Sequence, residues 1–229
     1  MDVTLLKELQ QARLDKRQVV LATNLTNGSN NLLYPFENKN KTPILDEART
    51  ALNTDKPREI ETEDGTLFLN IFNPPLRLFV VGAVHIAQKL APIAAAAAYD
   101  VTVIDPRRSF GSEFRFPGIN LDDRWPDEAL AELAPDRRSA IVTLTHDAKL
   151  DDPALEAALN TDVFYIGALG SNRTNAKRHQ RLDKKGFTAG DMERIHGPVG
   201  LDIGAQSPAE IAISIMAEMT ATLRGKDLP

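Results

Sequence analysis

From residue 76 onward, short apolar runs without polar interruption alternate with amphipathic stretches, and that alternation sets the expected architecture. Leu78-Phe-Val-Val81 follows Pro74-Pro75 and ends at Gly82. A short, valine-rich run of this kind predicts a strand buried on both faces. The alanine-rich residues 86–98 form a helix by propensity. Residues 101–104 are a second buried strand, ending at Asp105. Residues 139–145 and 162–166 repeat the pattern as third and fourth strands. Helices are expected over residues 127–133, 175–185 and 189–195, and from residue 208 to about 224. A further helix is expected over residues 154–160, with Asp152 as its cap and Pro153 at its first position. Ser171 or Asn172 can cap the 175–185 helix. Ser207-Pro208-Ala209-Glu210 is a capping-box start for the last one, with Ile211, Ile215 and Met219 along one face and Ile213 off it. Strands alternating with helices predict an α/β fold, a Rossmann-like, doubly wound, mostly parallel sheet over residues 76–229.

The N-terminal pattern differs. Val3, Leu5, Leu6, Leu9 and Leu14 recur near helical spacing. Residues 19–23 and 32–36 flank a turn-rich stretch and read as strands. Residues 43–53 start with Pro43 at a helix's first turn. Residues 58–62 and 66–72 flank Glu63-Asp64-Gly65, a hairpin signal. Residues 1–75 are therefore expected to be a small α+β domain, marginal alone at that size. Asn73-Pro74-Pro75 is the linker candidate, and Phe114, Phe116 and Trp125 are expected to anchor loops in the second domain.

Composition narrows the function. The chain has 229 residues, 42% hydrophobic, which suits one large or two small domains. A net charge of −5 gives no broad attraction to nucleic acid or anionic lipid. There is no cysteine, so disulfides, thiolate metal sites and cysteine nucleophiles are excluded. No apolar run reaches the ~18 residues that span a bilayer, and the start of the chain has no signal-peptide pattern. A cytoplasmic protein is expected.

Strand, glycine turn, helix, strand and acidic residue is the plan of a dinucleotide-binding βαβ unit, with Asp105 lying 23 positions beyond Gly82. The glycine fingerprint is incomplete. It reads Gly82-Ala83-Val84-His85-Ile86-Ala87, and Val84 takes the place of the glycine that lets backbone approach a pyrophosphate. NAD(P) in the usual pose is disfavoured for that reason. His85 stands beside the helix start, where it either touches a ligand or makes a local hydrogen bond. A second glycine loop, Gly167-Ala-Leu-Gly170-Ser171-Asn172-Arg173-Thr174, leads into a basic helix. Exposed amides at that helix start and the Arg173 fork suit an anion; the alternative is a relaxed turn that binds nothing. Arg107 and Arg108 are either phosphate contacts or solvated loop charges.

Ligands of doubly wound sheets bind outside the carboxyl ends of the strands. His85, Asp105, His146 and residues 167–173 fall there, and the loop of residues 196–204 is placed to close over them. His146 with Asp147 suits acid–base work, yet no nucleophile elbow accompanies them. A three-histidine metal site from His85, His146 and His196 is disfavoured by irregular spacing, and His179 reads as a surface residue. The residues alone reach a phosphate- or nucleotide-like ligand in an α/β crevice, and no reaction.

Three longer segments carry a resemblance: residues 144–159 (LTHDAKLDDPALEAAL), 164–174 (FYIGALGSNRT) and 195–205 (IHGPVGLDIGA), followed by SPAEIA from Ser207. These resemble the XdhC/CoxI family, accessory proteins of xanthine dehydrogenase and carbon monoxide dehydrogenase, over residues of about 77 to 224. The resemblance implies a Rossmann-fold chaperone, with no turnover of its own established. It would bind molybdenum cofactor (molybdopterin), protect it, support its sulfuration and pass it to an apo molybdenum hydroxylase of the xanthine or CO dehydrogenase type. Sulfuration brings in a cysteine desulfurase as a further partner, and a homodimer is left open. Laid over the crevice, the cofactor-binding candidates are Gly82, His85, Asp105, His146, Gly167, Gly170, Ser171, Arg173, Thr174 and His196, with no catalytic residue and no metal ligand. The chain departs from longer members in lacking a glycine-glycine-cysteine segment, which removes thiolate contact with molybdenum. An NAD(P)-binding oxidoreductase is the alternative, and a partner protein acting through its surface a third reading.

Overall fold

The computed structural model describes residues 2–38 and 40–226. The chain divides into two compact units, Met1–Pro74 and Pro75–Pro229.

In the first unit, helices α1 (Val3–Leu14) and α2 (Pro43–Thr54) accompany β1 (Val19–Asn24), β2 (Asn30–Leu33), β3 (Arg58–Thr62) and β4 (Gly65–Phe72). The strands form an antiparallel sheet in the order β2-β1-β4-β3. Alternation along β1 sends Val20 and Ala22 toward Ala48 and Leu52 of α2, while Val19 meets Leu9 and Ala12 of α1. Thr62 pairs with Gly65 across the Glu63-Asp64 turn. The apolar stripe of α1 is narrower than its sequence suggests, because Val3, Leu6 and Leu14 are exposed. β2 starts two residues earlier than the pattern predicts and stops at Leu33.

The second unit holds β5 (Leu76–Val81), α3 (His85–Ala96), β6 (Tyr99–Ile104), β7 (Asn120–Asp122), α4 (Pro126–Leu133), β8 (Ser139–Thr143), α5 (Ala148–Leu159), β9 (Tyr165–Ala168), α6 (Asn172–Asp183), α7 (Ala189–Met192), β10 (Ile195–His196) and α8 (Pro208–Leu223). Its sheet runs β10-β9-β8-β5-β6-β7, and every pairing in it is parallel. Numbered within the unit, the order is that of the doubly wound dinucleotide fold, with the first strand central and the chain winding outward on both sides of it. Each buried strand feeds two cores. Leu78 and Val80 join α3 and α8 on one face, and Phe79 and Val81 join α4 and α5 on the other. Burial on both faces is why these strands read as continuous apolar runs.

Three expectations need correction. The helix expected to start at Ala154 begins at Ala148, with Asp147 as its cap and Pro153 inside it. The Asp147 side chain accepts from the amide of Lys149 and its carbonyl from Asp151, which closes a turn upstream of the proline. Asp152 is instead paired with Arg181, at 2.5 Å to Nε. The segment expected to be helical up to Ile195 stops at Met192, and Ile195 pairs with Ile166 as an edge strand. No apolar run signals β7, since Asn120 and Leu121 are exposed. Of the aromatic anchors, Phe116 is buried, whereas Phe114 and Trp125 are exposed.

Candidate anion-binding site

The sheet order reverses between β5 and β8, and the loops at their carboxyl ends form the crevice. Gly82 closes β5 at φ +107°, and a Cβ there would lie 2.5 Å from Cγ2 of Thr145. Glycine is required on both counts, left-handed backbone and close approach to the β8 loop. Asp105, at the end of β6, is buried, and its carboxylate is committed within the fold. Oδ2 accepts the amide of Ala83 at 2.8 Å, and both oxygens receive the Arg107 fork at 2.8–2.9 Å. Burial opposes ionisation of Asp105, but Arg107 and the Ala83 and Arg107 amides outweigh it and hold its pKa below the usual range. Asp105 therefore ties the glycine turn to the next strand. Arg107 is drawn into that pair, and Arg108 pairs with Asp123 at 2.7 Å. His85 occupies the first position of α3 and is exposed, and Val84 before it has no side-chain cap to offer.

The turn after β8 is built differently. His146 is exposed and sits at φ +61°, a left-handed conformation uncommon for a side-chain-bearing residue. That turn brings the loop back over Asp151, which is 2% exposed. Oδ1 of Asp151 accepts the Thr145 hydroxyl at 2.7 Å and the Thr145 amide at 3.3 Å. Burial pushes the Asp151 carboxyl up, and the Thr145 contacts and the charge of Arg178 only partly counter it.

Opposite Asp151 stands α6, capped by the Ser171 hydroxyl on the amide of Thr174 at 3.2 Å. Asn175, Arg178 and Leu182 form its buried stripe. Arg178 is 1% exposed. It donates to the carbonyl of Leu169 at 2.8 Å and to Oδ1 of Asn175. Its Nε and the Asn175 Nδ2 are buried without a hydrogen-bond partner among the described residues. Burial lowers the Arg178 pKa, against the pull of Asp151 and Asp152. A cavity of about 270 Å³ opens here, lined by His146, Asp151, Arg173, Thr174, Lys177, Arg178 and Arg181. Four of its walls are cationic side chains. Arg181 is paired with Asp152, while Arg173 and Lys177 have no ion-pair partner among the described residues.

A second polar cluster lies at the ends of β9 and β10. Glu218 of α8 accepts from the Tyr165 hydroxyl, from the amide of Gly200 at 2.8 Å, and approaches Nδ1 of His196 at 3.3 Å. The Tyr165 and His196 rings stack with centroids 4.6 Å apart. Burial raises the Tyr165 pKa, reinforced by the Glu218 charge. Burial opposes ionisation of Glu218, but His196, Tyr165 and the Gly200 amide together hold its pKa low. The neighbouring Gly197 has no room for a side chain, since a Cβ would lie 2.6 Å from Nδ2 of Asn175.

Of the sequence-derived candidates, His146, Arg173 and Thr174 meet in one cavity, while Ser171 caps the start of α6 and Gly170 precedes it. Gly167 packs beneath the Val199 and Tyr165 side chains. Gly82 and His85 belong to the β5–α3 turn, to which Asp105 at the end of β6 is bonded, and His196 belongs to the Glu218 cluster. Among the described residues no group of three or more histidine, aspartate or glutamate side chains is gathered as a metal would need. Sequence reasoning missed Asp151, Asn175, Arg178, Tyr165 and Glu218. A signal existed for two of them: Asn175, Arg178 and Leu182 recur at the i, i+3, i+7 spacing of a core-facing stripe.

Comparison with known proteins places these features in context. Residues 78–219 match the family described as the XdhC Rossmann domain. The chain is 32% identical over 150 residues to the molybdenum cofactor insertion chaperone PaoD of Escherichia coli (strain K12), covering 66% of this chain and 41% of that protein. It is 31% identical over 189 residues to a protein of Bacillus subtilis (strain 168) named as a probable xanthine dehydrogenase subunit, covering 82% of this chain and 54% of the relative. The chain thus spans about half the length of these curated relatives or less. The crystal structure of a xanthine dehydrogenase from Bacillus halodurans aligns with a TM-score of 0.67 over 99% of this chain and 66% of that one, at 22% identity, which establishes a shared fold.

Proposed function

The chain belongs to the XdhC Rossmann-domain family, and from that premise we propose that it is a maturation factor that binds molybdenum cofactor as cargo and passes it to an apo molybdenum hydroxylase of the xanthine dehydrogenase type. The observation that carries this reading is the cavity between the β8 turn and α6. A guanidinium nitrogen buried without a partner costs about 1–3 kcal/mol, and an anion seated beside Arg178 would remove that cost. The cargo ends in a phosphate. Arg178 and Arg173 offer planar donors to it, Lys177 a point charge, and the start of α6 its amide dipoles. At about 270 Å³ the cavity falls just below the ~300–1,000 Å³ of sites that enclose a whole small molecule. It suits the phosphate-bearing end, with the pterin extending past His146 along the crevice. With no cysteine in the chain, holding relies on charge and hydrogen bonds rather than on a thiolate to molybdenum. The names of two relatives, a molybdenum cofactor insertion chaperone and a probable xanthine dehydrogenase subunit, support the same assignment.

The strand order also favours an NAD(P)-binding oxidoreductase. Two features weigh against it: Val84 stands where pyrophosphate needs a glycine, and both oxygens of Asp105 are already occupied where a ribose would need one. Titration with NADH and NADPH is expected to show weak or no binding. The maturation reading is tested by reconstitution. Cofactor released anaerobically from a molybdoenzyme is mixed with the full chain, passed through a sizing column and given to an apo xanthine dehydrogenase. Pterin eluting with the protein, and activity above that restored by free cofactor, are the expected results. Cofactor eluting free, with no gain in activity, would reject the assignment.

A further inference from the structure

The α6 cavity is cationic, yet one of its walls is a carboxyl. Asp151 is 2% exposed and projects into a space shared with Arg173, Lys177, Arg178 and Arg181. Thr145 holds its Oδ1 by hydroxyl and amide, while Oδ2 has no hydrogen-bond partner among the described residues. Arg178 does not close on it as an ion pair either; its two terminal nitrogens go to the Leu169 carbonyl and Asn175, and its Nε is left without a partner among the described residues. A site for any anion would be better without this group, because a carboxylate repels a fully deprotonated ligand and has only that ligand's lone pairs to face. A carboxyl beside an oxyanion is favourable when one hydrogen sits between them. Phosphate can supply it, and sulfate at neutral pH cannot.

We propose that Asp151 makes this cavity selective for a proton-bearing tetrahedral oxyanion, a phosphate or phosphate monoester, by sharing one proton between its Oδ2 and a ligand oxygen. The inference deepens the assignment of the cavity to the phosphate end of the cargo and rests on that reading for its biological meaning. The chemistry stands on the cavity alone. The ester binds as its monoanion, and its P–OH donates to the ionised Oδ2, a hydrogen bond that sulfate, carrying no hydrogen at neutral pH, cannot make. The complex keeps the ester's one proton, so it forms where the ester still carries that proton and the carboxyl is ionised. The groups facing Asp151 fix the range. They are His146 on the β8 turn, Asp147 and Asp152 at the start of its own helix, Arg173, Lys177, Arg178 and Arg181 on α6, and the charge of Arg107 across the crevice. Phosphate monoesters lose their second proton near pH ~6, so affinity for them should decline as pH rises above neutrality.

The test is calorimetric titration of the full chain with inorganic phosphate, sulfate and a simple alkyl phosphate, at fixed ionic strength between about pH 5.5 and 8.5, a range that brackets the second phosphate ionisation. At pH ~7 inorganic phosphate should bind about tenfold or more tighter than sulfate, the worth of one charge-assisted hydrogen bond. Alkyl phosphate affinity should fall across the upper half of the range. D151N presents an amide that can donate to either anion and keeps an oxygen for Thr145, so the phosphate-to-sulfate ratio should collapse to within about twofold. Equal binding of phosphate and sulfate by the wild-type chain, undetectable binding of both, or a ratio that survives D151N in a folded variant would each overturn the proposal. Should D151N fail to fold, the wild-type ratio and its pH course decide the matter. Failure of the cargo assignment is read separately, as cofactor eluting free while inorganic phosphate still outcompetes sulfate.

Discussion

Replacing Asp105 by asparagine separates a structural carboxylate from a cofactor contact. Four donors converge on the two oxygens: the Ala83 amide at 2.8 Å, the Arg107 amide at 3.0 Å, and Nε and one terminal nitrogen of Arg107 at 2.9 and 2.8 Å. Asparagine keeps one acceptor and turns an NH₂ toward the other pair of donors. Ala83 is fully buried and cannot recruit water, so its amide carries the full penalty of an unmet donor. The Arg107 side chain is 36% exposed and rehydrates in part. The loss is expected at about 2–4 kcal/mol. For a unit of this size each kcal/mol moves the melting temperature about 2–4 °C, so a drop of roughly 4–16 °C is predicted. The only tryptophan, Trp125, lies in the second unit and reports its unfolding by fluorescence. Asp105 has a depressed pKa in the fold. Its stabilisation is therefore fully present above the ordinary aspartate value, ~4, and is lost as pH falls through the lower folded value. The gap between wild type and D105N should be widest near pH ~7 and should shrink below about pH 4. A melting temperature within about 1 °C of wild type at neutral pH would refute a structural role for this residue, and a gap that persists unchanged at about pH 2.5 would refute the part assigned to its charge.

Gly82→Ala should destabilise the second unit by at least about 2 kcal/mol, because a side chain at φ +107° is strained and its Cβ would meet Thr145 at 2.5 Å; urea unfolding followed at Trp125 measures it. Tyr165→Phe removes the hydroxyl bonded to Glu218 but leaves the Gly200 amide and His196 in place, so a loss of about 1–2 kcal/mol is expected in the same assay. Arg178→Lys loses the fork that reaches both Leu169 and Asn175, and inorganic phosphate affinity should fall about tenfold or more by calorimetry.

Elements whose burial is regular were legible in the sequence. Leu78–Val81 and Ser139–Thr143 are inaccessible on both faces, so every residue is apolar or small and no polar signal blurs the strand. The capping box at Ser207 and Glu210 specified the start of α8 through short-range hydrogen bonds alone. Elements fixed by distant partners were not legible. β10 exists because Ile195 and His196 find β9, which lies about thirty residues earlier in the chain. The start of α5 was masked by Pro153, a residue that marks a first turn far more often than a helix interior. The site shows the same division. Arg173 and Thr174 follow a glycine loop and were visible as candidates, whereas Asp151 and Arg178 acquire meaning only when α5 and α6 bring them to one cavity. Asp105 matched the spacing of a ribose-binding acid, but spacing could not reveal that Ala83 and Arg107 occupy both of its oxygens.

The cation-lined cavity as the cargo's phosphate seat is tested most directly by anaerobic binding of released molybdenum cofactor to wild-type chain and to R173A/K177A. Both substituted side chains are exposed, so the variant should retain wild-type stability to within about 0.5 kcal/mol per site. Retention of cofactor by the wild type and a loss of about tenfold or more in the variant is the predicted result, two charge-assisted contacts being removed. Equal retention by the two proteins would contradict it.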